Sequence, residues 1–218
     1  ASEANSPRCR SASNRAMVRE VFRPLFLLWF GCMWLTAATE LGPDQWVGSI
    51  ITNLTGMQGI LILVYTAGIM FVLRFFFTGV ALKLTPLGLL VAASILSAAG
   101  LWALASVRTP VEAFVAATVF GAGKTFFWPV MLGVTSERFP KAGAMGLAII
   151  GGTGMLSTAV ILPVMGDWYD KYGAAAAFRY VAILPMVLTV VFGALYLYYR
   201  SQGGYKVVKL HPEAAEAD

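Results

Sequence analysis

Four ionisable residues sit in or beside strongly apolar runs of this chain, and they are where its chemistry has to be sought. Lys124 lies in FGAGKTFFWP, Glu40 in TAATELGP, Arg74 in MFVLRFFFTG and Asp167 in PVMGDWYDKYG. A charged side chain at the centre of a hydrocarbon layer costs at least about 2.5–3.5 kcal/mol, so each such group calls for a partner or a water-filled cavity.

Lys124 falls deep in its run. On a helix it shares a face with Trp128, four residues on, and with Gly121, three residues back. A cation, an indole ring and a bare patch of backbone suit a polar, ring-containing solute; the same lysine could equally form a buried salt bridge that only orders the fold. Glu40 follows Thr36 by one turn and precedes Gln45 and Trp46. It could accept solute hydroxyls, bind and release a proton, or mark the boundary of the apolar layer. Arg74 can reach a polar surface through its long stem, which fits a structural or gating role better than solute contact. Asp167 and Asp170 read as loop or cap residues, with a gate role open to Asp167.

The elements that must hold these residues follow from composition. Of 218 residues, 58% are hydrophobic and 12% charged, and the mean hydropathy is +0.73. A water-soluble domain carries roughly 45–50% apolar and about 25% charged residues. The balance here excludes a soluble globule, a disordered chain and a disulfide scaffold, and implies an integral membrane protein embedded in a lipid bilayer. A crossing helix needs about 20 apolar residues. Six runs qualify: 24–41, 57–80, 87–107, 111–134, 142–165 and 175–199. The fold class expected is all-α, a polytopic bundle of six transmembrane helices over residues 23–200. Residues 1–22 and 201–218 are expected to be cytoplasmic tails, the first a linker. The stretch 44–54 is expected to continue the first helix after a break at Gly42-Pro43, since Pro43 cannot donate to the carbonyl of Thr39.

Charge placement orients the bundle. Of 16 Lys and Arg residues, only Arg108, Lys171 and Arg179 fall on one side. Arg74 and Lys124 lie within runs, and the remainder share the other side. The positive-inside rule then puts both termini in the cytoplasm, across a plasma or inner membrane. The net charge of +5 reflects that bias, with no nucleic-acid partner implied. The chain starts with Ala, and is expected to be part of something longer.

Enzyme chemistry finds no footing. Cys9 and Cys32 have neither disulfide nor metal-ligand spacing, and the single histidine, His211, stands in a charged tail. GAGKT lies inside a helical run without the strand a phosphate loop needs. No cofactor and no metal are expected. Small residues form stripes instead: Ala113, Ala117, Gly121 and Thr125 on the fourth run, Ala144, Ala148 and Gly152 on the fifth. Such stripes let helix backbones approach closely in lipid. With Pro129 and Pro163 they also allow bending.

Several segments in order resemble the C-terminal half of a major facilitator superfamily transporter. Arg74-Phe-Phe-Phe-Thr-Gly79-Val-Ala-Leu-Lys83-Leu-Thr-Pro86 is similar to that family's Arg-x4-Gly-x3-Asp-Arg-x-Gly signature, with its acidic member absent. Ser136-Glu137-Arg138-Phe139-Pro140-Lys141 is similar to the loop between fourth and fifth helices. The segment from Gly166-Asp167 to Asp170-Lys171-Tyr172-Gly173 is similar to the turn into the last helix. The resemblance implies alternating-access transport of a small polar solute, nearest to the sugar and nucleoside proton symporters. It implies a missing N-terminal six-helix half, or a second copy, as partner. Glu40, Gln45, Trp46, Lys124 and Trp128 would line the solute site; Glu40, Arg74, Lys83 and Asp167 would serve gating or proton coupling. The alternative reading is a non-transporting assembly protein that packs through its small-residue faces.

Overall fold

The computed structural model describes residues 15, 17–76, 79 and 84–208. Among them every regular element is helical. In chain order these are α1 Pro24–Thr55, α2 Ile60–Phe76, α3 Pro86–Leu104, α4 Pro110–Lys124 and α5 Phe127–Arg138. A short 3-10 turn, Pro140–Ala142, leads into α6 Gly143–Tyr172, α7 Ala174–Val181 and α8 Ile183–Ser201.

Local sequence explains where the helices start. Three begin with proline at the first position, where a missing N–H costs nothing. Thr85 and Thr109 cap α3 and α4: their side chains accept the amide hydrogens of Gly88 at 3.2 Å and Glu112 at 3.3 Å. Glu112 reaches back to accept the amide hydrogen of Arg108 at 2.8 Å, which leaves fewer amides unpaired at the end of α4. α1 stops at Gly56, whose φ of +72° places it in the left-handed region that glycine tolerates.

α1 differs from expectation. It runs unbroken for 32 residues through Pro43. Proline removes one hydrogen bond, but in a membrane helix packing against a neighbour can hold the turns on either side. That neighbour is α6: a side chain at Gly42 would meet Met165 at 3.0 Å and Ile161 at 3.2 Å. The fourth expected span, by contrast, is interrupted. α4 ends at Lys124, and α5 begins at Phe127 after a turn at Thr125-Phe126.

Five helical stretches are long and apolar enough to cross a membrane: Pro24–Thr55, Pro86–Leu104, Pro110–Arg138, Pro140–Tyr172 and Ala174–Ser201. α2 is a shorter apolar helix of 17 residues. The chain is an integral, multi-pass membrane protein. Its outer faces agree, for α2 presents Leu61, Val64, Phe71 and Phe75 outward, and α6 presents Met155, Leu156 and Val160. In water such faces would invite aggregation.

The interior divides into two apolar clusters. One gathers the second half of α1, the ends of α3 and α6, α4 and α7, around Ile50, Leu101 and Phe178. The other gathers the first half of α1, the start of α3, α5 and α8, around Phe26, Phe127 and Phe192. Between them, at mid-helix, lie the buried polar residues Thr36, Thr39, Glu40, Ser94, Ser97, Lys124, Thr125, Thr153 and Ser157.

Close backbone contact makes this possible. A Cβ at Gly123 would stand 2.5 Å from the Ser97 nitrogen, and one at Gly100 would collide with the backbone of Phe120. α3 and α4 therefore touch main chain to main chain at two glycines. Trp29 crosses to α5, its indole N–H donating to the Thr135 hydroxyl at 3.0 Å.

Candidate functional site

Most of the mid-helix hydroxyls look after themselves. Thr36, Thr39, Ser94, Thr125 and Thr153 each donate to a carbonyl of their own helix four residues back. The charged members of the belt cannot be satisfied that way, because a hydroxyl carries a fixed donor and an ion needs a counter-charge.

Lys124 closes α4 with its side chain 1% exposed, and its ammonium is bonded to Asp44 of α1, which is 20% exposed. The ammonium also stands 5.2 Å from the centre of the Phe120 ring. Asp44 is the residue that sequence reasoning missed. The expected break at Gly42-Pro43 separates it from the face that carries Glu40. With α1 continuous, Glu40 and Asp44 are four residues apart and share a face. That spacing was the available signal.

Glu40 is 5% exposed. Its Oε2 has no hydrogen-bond partner among the described residues. Lys124, Asp44 and Arg74 are the charged groups near enough to act on it electrostatically. Among the described residues the site therefore brings two carboxyls near one buried ammonium, Asp44 bonded to it and Glu40 with its Oε2 unpartnered.

Arg74 is set into the site by the break in the fourth span. Pro129 has no N–H to give to the carbonyl of Thr125, four residues back. Arg74 supplies the donor instead, Nε to Thr125 oxygen at 2.8 Å. The break and the arginine are thus one device: α2 is fastened to the point where α4 turns into α5, one residue after Lys124.

The remaining expected residues lie elsewhere. Gln45 is exposed on α1. Trp46 occupies the seam between α1 and α6: its N–H donates to the Leu162 carbonyl at 3.2 Å, and its ring stacks 5.5 Å from that of Tyr169. Trp128 does not continue the Lys124 face, because the turn at 125–126 intervenes; it lies against Gly154 of α6. Gly121 faces Ile69 of α2. Asp167 is exposed and paired with Lys171, one turn on, at 2.7 Å. Lys83, with Cys9 and His211, lies outside the described residues. Among the described residues no three His, Cys, Asp or Glu side chains gather as a metal site requires.

No protein-family model matches the chain, and neither a curated protein nor a solved structure matches it.

Proposed function

We propose that this chain is one half of a major-facilitator-type transporter of six membrane passes, with both termini in the cytoplasm of a plasma or inner-membrane protein. It carries a small polar solute, sugar- or nucleoside-like, by alternating access coupled to protons. The carrying observation is the charged cluster at mid-helix: a buried ammonium, a half-buried carboxylate bonded to it, and a second buried carboxyl with a free oxygen.

Burying such a cluster in a bundle lowers stability relative to apolar packing. A static scaffold gains only order from it. A solute site gains more, because hydroxyl groups can both accept from an ammonium and donate to a carboxylate, replacing one bond of the pair with two to the solute. Asp44 keeps some exposure, so the pair is open to exchange. Glu40 is the group suited to bind and release the coupled proton, since its Oε2 is unpartnered among the described residues and protonation there changes the charge beside Lys124 without breaking a hydrogen bond at that atom. Arg74 holds the hinge behind this site, through the Thr125 carbonyl. A partner bundle, the N-terminal half or a second copy, supplies the opposite wall.

A second reading has one observation in its favour. Ala144, Ala148 and Gly152 form an exposed stripe on α6 with open space at Gly152, which suits an assembly protein docking through that face.

Proteoliposomes holding the complete gene product separate the two. The transporter reading expects a panel of radiolabelled monosaccharides and nucleosides to contain one that accumulates when an inward proton gradient is imposed. Failure of every member, with insertion intact and Gly152→Leu breaking self-association, would establish the assembly reading instead.

A further inference from the structure

The segment after α8 is fastened to the far end of α5. Gly203 and Gly204, with φ of +86° and +98°, turn the chain back from the helix end. Both sit in the left-handed region, so any other residue there would be strained. Beyond them, three hydrogen bonds hold residues 205–208 against Glu137 and Arg138, and a fourth ties Arg138 to the last helix. The Tyr205 hydroxyl donates to Glu137 Oε2 at 2.7 Å. Arg138 donates to the Lys206 carbonyl at 2.7 Å and to the Tyr199 hydroxyl at 2.9 Å. The Val208 amide donates to the Glu137 carbonyl at 3.0 Å. The guanidinium also lies over the rings of Tyr199 and Tyr205, at 4.6 and 5.8 Å.

We propose that residues 203–208 are a releasable strap, and that docking it restrains the turn between α5 and α6. Arg138 is its anchor. This residue ends α5 and is followed directly by Phe139, which packs edge-on against Phe26 at 5.1 Å, and by the 3-10 turn Pro140–Ala142. Whatever holds Arg138 therefore holds the entry to α6. The strap is built to let go. Tyr205 is the one strap residue packed against the bundle, beside Tyr199, whereas Lys206, Val207 and Val208 are exposed, and hydrogen bonds near water open first. Burial and the carboxylate it faces hold the Tyr205 phenol above its ordinary value, which keeps it a donor to Glu137. The inference does not depend on the transport reading.

Hydrogen exchange on the intact protein in nanodiscs tests it. In the wild type, the Val208 amide, which donates to the Glu137 carbonyl, should exchange more slowly than in free peptide. Arg138→Leu should speed exchange by about tenfold or more both in 203–208 and in 138–143, since it removes charge-assisted bonds from an exposed network. The centres of α3 and α6 should stay protected. Free-peptide exchange at Val208 in the wild type, or faster exchange in 203–208 with 138–143 unmoved, would overturn the proposal. Should Arg138→Leu lose protection throughout, Tyr205→Phe decides: it keeps the ring and removes one bond, and must still speed both segments together. A Tyr205→Phe protein with unchanged exchange overturns the strap.

Discussion

Arg74 donates its Nε to the carbonyl of Thr125 at 2.8 Å, the carbonyl that Pro129 leaves without its helical donor. A cation from α2 thus completes the backbone of a different span, at the turn that interrupts that span. Lys124 is the last residue before the turn. Its ammonium reaches Asp44 from a helix end whose shape depends on Arg74.

This relationship can be broken and repaired. Arg74→Leu leaves the Thr125 carbonyl without that donor and should cost about 1–3 kcal/mol, the penalty for an unpaired buried polar group. Adding Pro129→Ala returns an N–H four residues along. The double variant should therefore unfold, in detergent, at a higher temperature than Arg74→Leu alone. No recovery would mean that the arginine acts through something other than that carbonyl.

Asp44 and Lys124 should behave as a coupled pair. Replacing only the acid, Asp44→Leu, strands a buried ammonium and should destabilise by about 3–5 kcal/mol, while Asp44→Leu with Lys124→Met should recover most of it. Thermal unfolding of the two variants gives the comparison. Equal losses would show that the two charges do not depend on each other.

Glu40 should be quieter than Asp44 in stability and loud in function. Its Oε2 has no partner among the described residues, so Glu40→Gln breaks no hydrogen bond at that atom and should change unfolding by less than the roughly 3–5 kcal/mol expected for breaking the Asp44–Lys124 pair. Uptake by the same variant should lose its response to an imposed pH gradient. A retained response would remove Glu40 as the coupling group.

The two kinds of glycine should differ sharply. Gly123→Val drives methyl groups into Ser97, at a point where backbones already touch, and should cost about 1–3 kcal/mol as overpacking does. Gly152→Val meets open space in this chain and should leave the isolated bundle's unfolding unchanged. A loss at Gly152 comparable to that at Gly123 would place another protein surface on α6.

How far these features were legible in the sequence depended on the kind of signal. Apolar runs and Thr-Pro starts exposed the helices of α3 and α4, because caps and hydropathy are local. Lys124 stood out because a lone cation in such a run is expensive. Asp44 did not, since the break expected at Gly42-Pro43 hides the face it shares with Glu40, and the packing of α6 against Gly42 that accompanies an unbroken α1 is a long-range contact. Trp128 was grouped with Lys124 on an assumed continuous helix. The break that separates them is visible as Pro129, but the arginine that stabilises it comes from 51 positions away. Residues 203–208 read as a polar tail, and their docking depends on Arg138, which a linear pattern does not connect to Tyr205.

The central claim is that the Lys124 ammonium serves a moving solute. Initial rates of proton-driven uptake should be measured in proteoliposomes for the wild type and for Asp44→Leu with Lys124→Met, the variant expected to recover most of the stability. The account predicts a fall of at least about tenfold, the least that losing a charge-assisted hydrogen bond of roughly 1.5 kcal/mol implies, with insertion and unfolding temperature near those of the wild type. Uptake at the wild-type rate in that variant would contradict it.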